Sequence, residues 1–282
     1  MNIVEAFILG IVQGLTEFLP ISSTGHLTLA GKLMGLITED NPEQWTAFIA
    51  VIQLGTLLAV LIFFRNDIVD IIKEFISDNI IGRKRFKEQS LNSKMGWFLL
   101  IATIPVVIVG LGFKDLIEGV FTKNLYVISI SLIVLALFLA VAERVSRLNR
   151  DSKSINWLDS LIIGIAQSLA LIPGASRSGT TITAGLFLGF NRATAARFSF
   201  LMSIPAILAS GLLQFYQAME YIDFISSINL LTATVVSGIV GYLSIEFLLR
   251  FLRKNSTMVF IIYRIVIGSV ILFLIANGII QA

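Results

Sequence analysis

The sequence has no cysteine, one histidine and few charged residues. The lack of cysteine excludes disulfides, thiolate catalysis and cysteine-based metal sites. Charged residues make up only 14% of the chain, whereas about 25% is usual in soluble domains. Hydrophobic residues make up 56%, more than a packed globular core could bury. We therefore predict an all-α polytopic membrane protein.

The few charges point neither to a cleaved signal nor to nucleic acid. Glu5 is the only charged side chain before Glu17, so the basic region that begins a secretory signal is missing. The formal net charge of +3 is small, and basic residues in a membrane protein more often set its topology. We expect the lipid bilayer as a partner and no nucleic acid.

Two segments of the chain repeat each other. Residues 8–35 align without a gap to residues 162–189. Each copy interrupts an apolar run with Pro, Gly, Ser and Thr, so neither apolar half is long enough to cross a bilayer alone. Such backbone is tolerated at depth only where protein or a polar cavity covers it. We predict two re-entrant helical hairpins, at 3–36 and 157–190.

Six further apolar runs are long enough, or nearly so, to span a bilayer. They are 44–64, 97–113, 124–142, 195–215, 229–249 and 258–278. Basic residues concentrate in 65–96, 143–157 and 250–257, which the positive-inside rule places in the cytoplasm. The first hairpin then enters from outside and the second from inside, and three spans follow each.

This order predicts an inverted-topology repeat. The first repeat is 1–142, a cytoplasmic linker covers 143–156, and the second repeat is 157–282. In proteins built this way, broken helices meet near the bilayer midplane around a polar site. The alternative is that the repeat reflects only close helix packing through small residues, which the pairs Gly31/Gly35 and Gly185/Gly189 would suit. That alternative leaves the polar residues between them unexplained.

The first break begins with a carboxylate in an apolar helix. Gln13 and Glu17 are four residues apart and share a helix face. An ionisable group at membrane depth is costly, so Glu17 is predicted to face a cavity or a partner. A structural hydrogen bond between helices is the alternative, and it weighs more for Gln13.

Hydroxyl and imidazole groups follow in the same break. Ser23 lies three residues before His26 and Ser22 lies four before it, so the side chains share one helix face. A serine and a histidine can form an activated nucleophile with its base, and Glu17 could orient the imidazole. The alternatives are helix caps, for Ser22 and Thr24, and a packed core histidine.

The second break supplies groups that suit an anion. Arg177 offers a planar fork that matches a phosphate, and neighbouring hydroxyls can donate to its oxygens. The hydroxyl candidates are Ser176, Ser178 and Thr181. A structural pair of Arg177 with Glu17 is the alternative. Gln53 and Arg264 are lesser candidates within spans, and the alternative for Arg264 is that it only extends to the cytoplasmic interface.

These motifs resemble those of the bacterial undecaprenyl-diphosphate phosphatase family, the BacA/UppP type linked to bacitracin resistance. Residues 13–26 read QGLTEFLPISSTGH and residues 173–179 read PGASRSG, which match the two signatures of that family. Many members carry glutamate where this chain has Gln13. The resemblance implies a multi-pass enzyme of the bacterial plasma membrane. It would hydrolyse undecaprenyl diphosphate, a polyprenyl diphosphate lipid, and so recycle the lipid carrier for cell-wall synthesis.

The resemblance and the residues together suggest a mechanism. Arg177 would bind the phosphates, and the candidates beside it are Ser176, Ser178, Thr181, Ser22, Thr24, Gln13 and Gln53. Ser23 would attack phosphorus or position a water molecule, and His26 would act as base and then acid. Glu17 would orient His26 or hold a divalent cation, Mg²⁺ or Ca²⁺. The resemblance implies such a cation, because the family is associated with dependence on divalent cations.

Several alternatives stay open at this stage. A transporter or flippase of a phosphorylated lipid or small anion would use the same repeat and the same arginine, without a nucleophile. The sequence does not separate a phosphoserine route from direct attack by water. It leaves open whether the chain forms a homo-oligomer and to which side the site opens.

Overall fold

The computed structural model describes residues 1–37, 42–113, 124–218 and 224–281, leaving out the side chains of 42–44, 209–210 and 212–226. Eleven α-helices occur in these ranges, and the predicted all-α membrane fold is confirmed. They are α1 (Ile3–Phe18), α2 (Ser23–Leu33), α3 (Pro42–Phe63), α4 (Arg65–Ile76), α5 (Leu91–Gly112), α6 (Leu125–Val145), α7 (Trp157–Ser168), α8 (Arg177–Phe187), α9 (Arg192–Ala218), α10 (Phe224–Leu252) and α11 (Met258–Ala276).

Five of the described helices are long and apolar enough to cross a membrane. Their apolar stretches are Trp45–Phe63, Leu91–Gly112, Leu125–Val145, Ser227–Leu252 and Met258–Ala276. Each overlaps a predicted span. The remaining predicted span, 195–215, lies within α9, a 27-residue helix whose last side chains fall outside the described residues.

Both predicted hairpins contain a helix, a break and a second helix. In the first hairpin, α1 ends at Phe18 because Leu19 precedes Pro20 and adopts an extended conformation (φ −65°, ψ 142°). In the second, α7 gives way to a short 3₁₀ turn, and Ile172 is extended before Pro173 (φ −74°, ψ 125°). We call residues 19–22 the first tip and residues 172–176 the second tip. Re-entry of the two hairpins from opposite membrane faces stays a prediction.

Each tip ends on a serine with the same unusual backbone. Ser22 has a φ of 77° and Ser176 a φ of 70°. Residues other than glycine rarely adopt a positive φ. Each hydroxyl accepts the backbone N–H of the glycine three residues later, at 3.3 Å for Gly25 and 3.1 Å for Gly179. The capping alternative for Ser22 is therefore what the structure shows. The two repeated segments therefore share the same cap hydrogen bond at equivalent positions.

The first helix of each hairpin packs against a span that belongs to the other predicted repeat. Helix α1 lies along α10, and α7 lies along α5. The approach is close at a glycine in each case: a Cβ on Gly10 would lie 2.6 Å from the carbonyl oxygen of Ala233, and one on Gly164 would collide with that of Ala102. Two halves related by a two-fold axis would produce this packing. The assignment of 1–142 and 157–282 as inverted repeats stays a prediction.

Candidate active site

The two tips meet in the interior of the protein. The Ser178 hydroxyl donates to the backbone carbonyl of Leu19 at 3.0 Å, which ties the start of α8 to the first tip. Arg177, the neighbouring residue, forms an ion pair with Glu17 at the end of α1. The chemistry-bearing parts of both hairpins therefore lie in one place.

Glu17 is the centre of this site. The residue is only 5% exposed, and four side chains donate to its carboxylate. Oε2 accepts the Ser23 hydroxyl at 2.7 Å and Gln13 Nε2 at 3.1 Å. Oε1 accepts Gln53 Nε2 at 3.3 Å and the guanidinium of Arg177. The structure thus brings together five of the residues singled out from the sequence: Gln13, Glu17, Ser23, Gln53 and Arg177.

Ser23 and His26 do not hydrogen-bond to each other among the described contacts, although their spacing favoured a pair. The hydroxyl of Ser23 faces Glu17. The imidazole of His26 uses Nδ1 at 2.7 Å from the Ser22 carbonyl and Nε2 at 2.6 Å from the Tyr263 hydroxyl. The Ser22 carbonyl lies one helical turn before His26, and it also accepts the backbone N–H of that residue at 3.3 Å.

Arg264 does not extend to the cytoplasmic interface, the alternative that its place in an apolar helix left open. Its side chain is fully buried, and the guanidinium donates to backbone carbonyls of both tips and of α6. The acceptors are Ala175 (3.0 Å), Leu132 (3.2 Å), Pro20 (3.4 Å), Gly174 (3.4 Å) and Ser131 (3.5 Å). The carbonyls of Pro20, Gly174 and Ala175 lie where the helices are broken, and Arg264 satisfies them.

The hydroxyls of the second hairpin have separate roles. Ser176 caps α8, and its hydroxyl lies 3.3 Å from that of Ser178. Thr181 is buried and turned away from Glu17, with its hydroxyl 2.6 Å from the Ser199 hydroxyl of α9. In the first hairpin, Thr24 is half-buried in the first turn of α2. Only Arg177 of the second hairpin touches the carboxylate.

The charges at the tips do not cancel. Two guanidinium groups, Arg177 and Arg264, lie at the tips with one carboxylate, Glu17. Within the described ranges, no carboxylate pairs with Arg264, whose partners are all carbonyls. An excess positive charge in an apolar protein is costly and favours the binding of an anion.

One buried oxygen beside Glu17 has no partner. Gln13 is fully buried and its Nε2 donates to Glu17 and to Thr56 Oγ1 (3.4 Å), yet its Oε1 accepts nothing in the described structure. A free amide oxygen next to a carboxylate fits a hard divalent cation. The part of the chain that is described has no cluster of three or more His, Cys, Asp or Glu side chains. A cation here would therefore rely on phosphate oxygens for further ligands.

Two residues of the site were missed by sequence reasoning. Thr56 lies one turn after Gln53 on α3, so helical spacing from that candidate could have found it. Tyr263 adjoins Arg264 in α11, and its ring stacks on His26 with centroids 5.5 Å apart. The one sequence signal for Tyr263 was a polar hydroxyl within an apolar span.

Comparisons with known proteins agree along almost the whole chain. The family model described as bacitracin resistance protein BacA matches residues 6–270. A protein of Syntrophobacter fumaroxidans named undecaprenyl-diphosphatase is 56% identical over 98% of each chain. Proteins of the same name from Chlorobium limicola and Chloroherpeton thalassium are 49% and 50% identical, with 100% of each chain covered.

Proposed function

The chain belongs to the BacA family of bacitracin resistance proteins, and we propose that the site at its two hairpin tips carries out the family's reaction. The protein is a multi-pass membrane enzyme, an undecaprenyl-diphosphatase that releases phosphate from undecaprenyl diphosphate. The other candidate, transport or flipping of a phosphorylated lipid, is not favoured, because the curated relatives carry the name of a hydrolase.

The observation that carries the site proposal is the contact of Ser23 with Glu17 beside Arg177. A serine hydroxyl that donates to a buried carboxylate at 2.7 Å already has an acceptor for its proton. The arginine on the other oxygen of that carboxylate can exchange its partner for a phosphate, which a guanidinium can bind through two nitrogens. Binding of the diphosphate would then draw Arg177 from Glu17 and free one oxygen of the carboxylate.

The first chemical step follows from these contacts. The Ser23 oxygen attacks the terminal phosphorus and gives its proton to Glu17. A new bond forms between the serine oxygen and phosphorus, the bridging P–O bond breaks, and its electron pair leaves with undecaprenyl phosphate. Arg177 stabilises the equatorial oxygens, which is the main task of a catalyst of phosphoryl transfer.

The second step returns the enzyme to its starting state. Water attacks phosphoserine, its proton goes to His26, and the Ser23 oxygen leaves and recovers the proton held by Glu17. His26 then gives the proton it took from water to the departing inorganic phosphate, so Glu17 and His26 both return to their starting charge. In direct attack by water, Ser23 and Glu17 would orient the water molecule instead and no phosphoserine would form.

A divalent cation is a further part of this proposal. Glu17 and the unpartnered Oε1 of Gln13 would hold it. Bound Mg²⁺ or Ca²⁺ would neutralise phosphate charge and fix the diphosphate in orientation. Gln13 supplies a neutral oxygen where many members of the family supply a second carboxylate, which predicts weaker cation binding here.

The membrane positions the lipid substrate. The apolar spans of an undecaprenyl-diphosphatase would lie in the bacterial plasma membrane, with the prenyl tail in lipid and the diphosphate between the tips. The positive excess of the tips supports an anionic headgroup as their ligand.

Phosphate release by the purified protein in detergent tests the function, because no gradient exists there to drive transport. We expect release from undecaprenyl diphosphate by the wild type, and its loss in Ser23→Ala and in Arg177→Ala. Radioactive phosphate trapped on the wild type by rapid acid quench, but not on Ser23→Ala, would establish the phosphoserine route. Full activity of Ser23→Ala would contradict the role of the serine.

A further inference from the structure

Tyr263 contacts the only histidine of the chain from a distant helix. Its hydroxyl lies 2.6 Å from His26 Nε2, although the two residues are 237 positions apart. The two rings stack, with centroids 5.5 Å apart and planes inclined by 11°. Stacking and the hydrogen bond fix both the plane of the imidazole and the environment of one of its nitrogens.

The two contacts of the imidazole assign its hydrogens. Nδ1 lies 2.7 Å from the backbone carbonyl of Ser22, which can only accept. Nδ1 therefore carries the hydrogen of the neutral ring. Nε2 is then the basic nitrogen, and it accepts the hydrogen of the Tyr263 hydroxyl.

We propose that Tyr263 is a positioning residue that orients the Nδ1–H tautomer of His26 and keeps Nε2 in place as the nitrogen that exchanges protons. This inference rests on the proposed phosphatase function, in which His26 receives a proton from water. A hydroxyl both donates and accepts. The Tyr263 hydroxyl turns its own hydrogen away from Nε2 while Nε2 takes the proton of water, and its oxygen then accepts the new Nε2–H, so one contact serves both charge states of the imidazole.

The neighbouring residue explains why the hydroxyl is held in place. Arg264 binds carbonyls of both tips and of α6, so this turn of α11 is fixed against the backbone that carries His26. The contact is also partly open, since Tyr263 is 41% exposed. Nε2 is thus the ring nitrogen at the less enclosed edge of the imidazole.

The tautomer can be measured directly because His26 is the only histidine. Protein labelled with nitrogen isotope in histidine, in detergent at a pH where the imidazole is neutral, gives one pair of ring nitrogen signals. We expect a protonated Nδ1 and an unprotonated, hydrogen-bonded Nε2 in the wild type. Tyr263→Phe keeps the ring, loses the hydroxyl, and should shift the Nε2 signal, while the Ser22 carbonyl keeps the hydrogen on Nδ1. Identical spectra of the two proteins would overturn the proposal.

Kinetics provide the second measurement. Tyr263→Phe should lower kcat by about tenfold or more, because general acid–base catalysis contributes about 10²–10⁴-fold. KM should change by less than about twofold, since the loss concerns the chemical step and not binding. Tyr126→Phe is the matched control: that tyrosine is 46% exposed, on α6, and should retain wild-type rates.

The outcomes separate this inference from the function itself. An unchanged kcat in Tyr263→Phe, or an equal fall in Tyr126→Phe, would overturn the positioning role. A wild type that releases no phosphate would instead contradict the proposed function, while the nitrogen spectra would still test the contact between Tyr263 and His26.

Discussion

Glu17 and Arg177 lie 160 positions apart in the sequence and form an ion pair that joins the two hairpin tips. The first comes from the end of α1 and the second from the start of α8, so each hairpin contributes one charge. Both side chains are largely shielded, at 3% and 17% exposure. The pair therefore holds the two tips together, and its proposed second role is to present the cation of Arg177 to phosphate. Experiments can measure the two roles separately.

Removal of one member should destabilise the protein more than removal of both. Arg177→Met leaves Glu17 buried and unpaired, a change that typically costs about 3–5 kcal/mol. Glu17→Gln in the same chain removes that charge and should recover about 1–3 kcal/mol by the logic of a double-mutant cycle. Thermal unfolding in one detergent, for the wild type, both single variants and the double variant, measures the coupling. Simple additivity would show that the pair does not stabilise the tips.

Ser23→Ala should abolish phosphate release while leaving the fold intact. The hydroxyl that donates to Glu17 is the proposed nucleophile, and alanine removes only one oxygen. We expect a loss of at least about 10³-fold, in the range found for catalytic groups that act as a unit. Ser129→Ala is the matched control, because that buried hydroxyl donates to the Leu125 carbonyl of its own helix (2.7 Å). Ser23→Ala should cost about 1.5–3 kcal/mol of stability because a hydrogen bond to a charged group is lost, and Ser129→Ala about 1 kcal/mol, so both variants should remain folded.

Arg264→Lys should destabilise the protein even though the charge is kept. One ammonium group cannot reach the five carbonyls that the guanidinium contacts. Loss of two such bonds would cost about 3 kcal/mol. The measurement is the thermal midpoint, with the exposed Arg253→Lys as control. Equal midpoints for the two variants would mean that the carbonyls are satisfied in another way.

Alanine at two equivalent glycines should have the same effect in the two halves. Gly10→Ala forces a Cβ against the Ala233 carbonyl, and Gly164→Ala forces one against that of Ala102. Each should destabilise by about 1–3 kcal/mol through overpacking. Gly110→Ala in α5 meets nothing within 4 Å and should stabilise by about 0.5–1 kcal/mol, because glycine is a poor helix former. Tolerance of both Gly10→Ala and Gly164→Ala would argue against the close contacts.

Gln13 should set the cation requirement of the enzyme. Gln13→Glu adds a charge beside Glu17 and is expected to lower the Mg²⁺ concentration for half-maximal phosphate release by about tenfold, since ligand charge tunes the affinity of such sites. Gln13→Leu should raise that concentration. Titration of chelator-treated protein with Mg²⁺ and Ca²⁺ provides the measurement. No shift in either variant would remove Gln13 from the proposed cation site.

The helix breaks could be predicted from sequence because local chemistry produces them. Pro20 and Pro173 stop the preceding helices, and serines at equivalent positions cap the next ones. The contact of Gln13 with Glu17 follows from helical spacing as well. The predicted pairing of Ser23 with His26 was not found, because the partner of Ser23 is not set by local spacing. Spacing along one helix favoured His26, whereas the partner found in the structure is Glu17, across the break.

The position of Arg264 could not be read from its place in an apolar helix. A guanidinium two turns into a span can extend to the interface or turn inward. Which occurs depends on whether carbonyls lie within reach, and the acceptors of Arg264 belong to three distant segments of the chain. Tyr263 was missed on the same grounds, since its partner is in α2.

The sequence alone determined that this is a helical membrane protein with two broken helical hairpins, and which side chains could react. Composition, apolar run length and proline act within a few neighbouring residues, so they are readable in order along the chain. Only the tertiary structure decided that Glu17 accepts from Ser23 and pairs with Arg177, that Arg264 joins the tips, and that Tyr263 meets His26. Those choices depend on contacts between distant segments, where the need to satisfy each buried charge and carbonyl selects the partner.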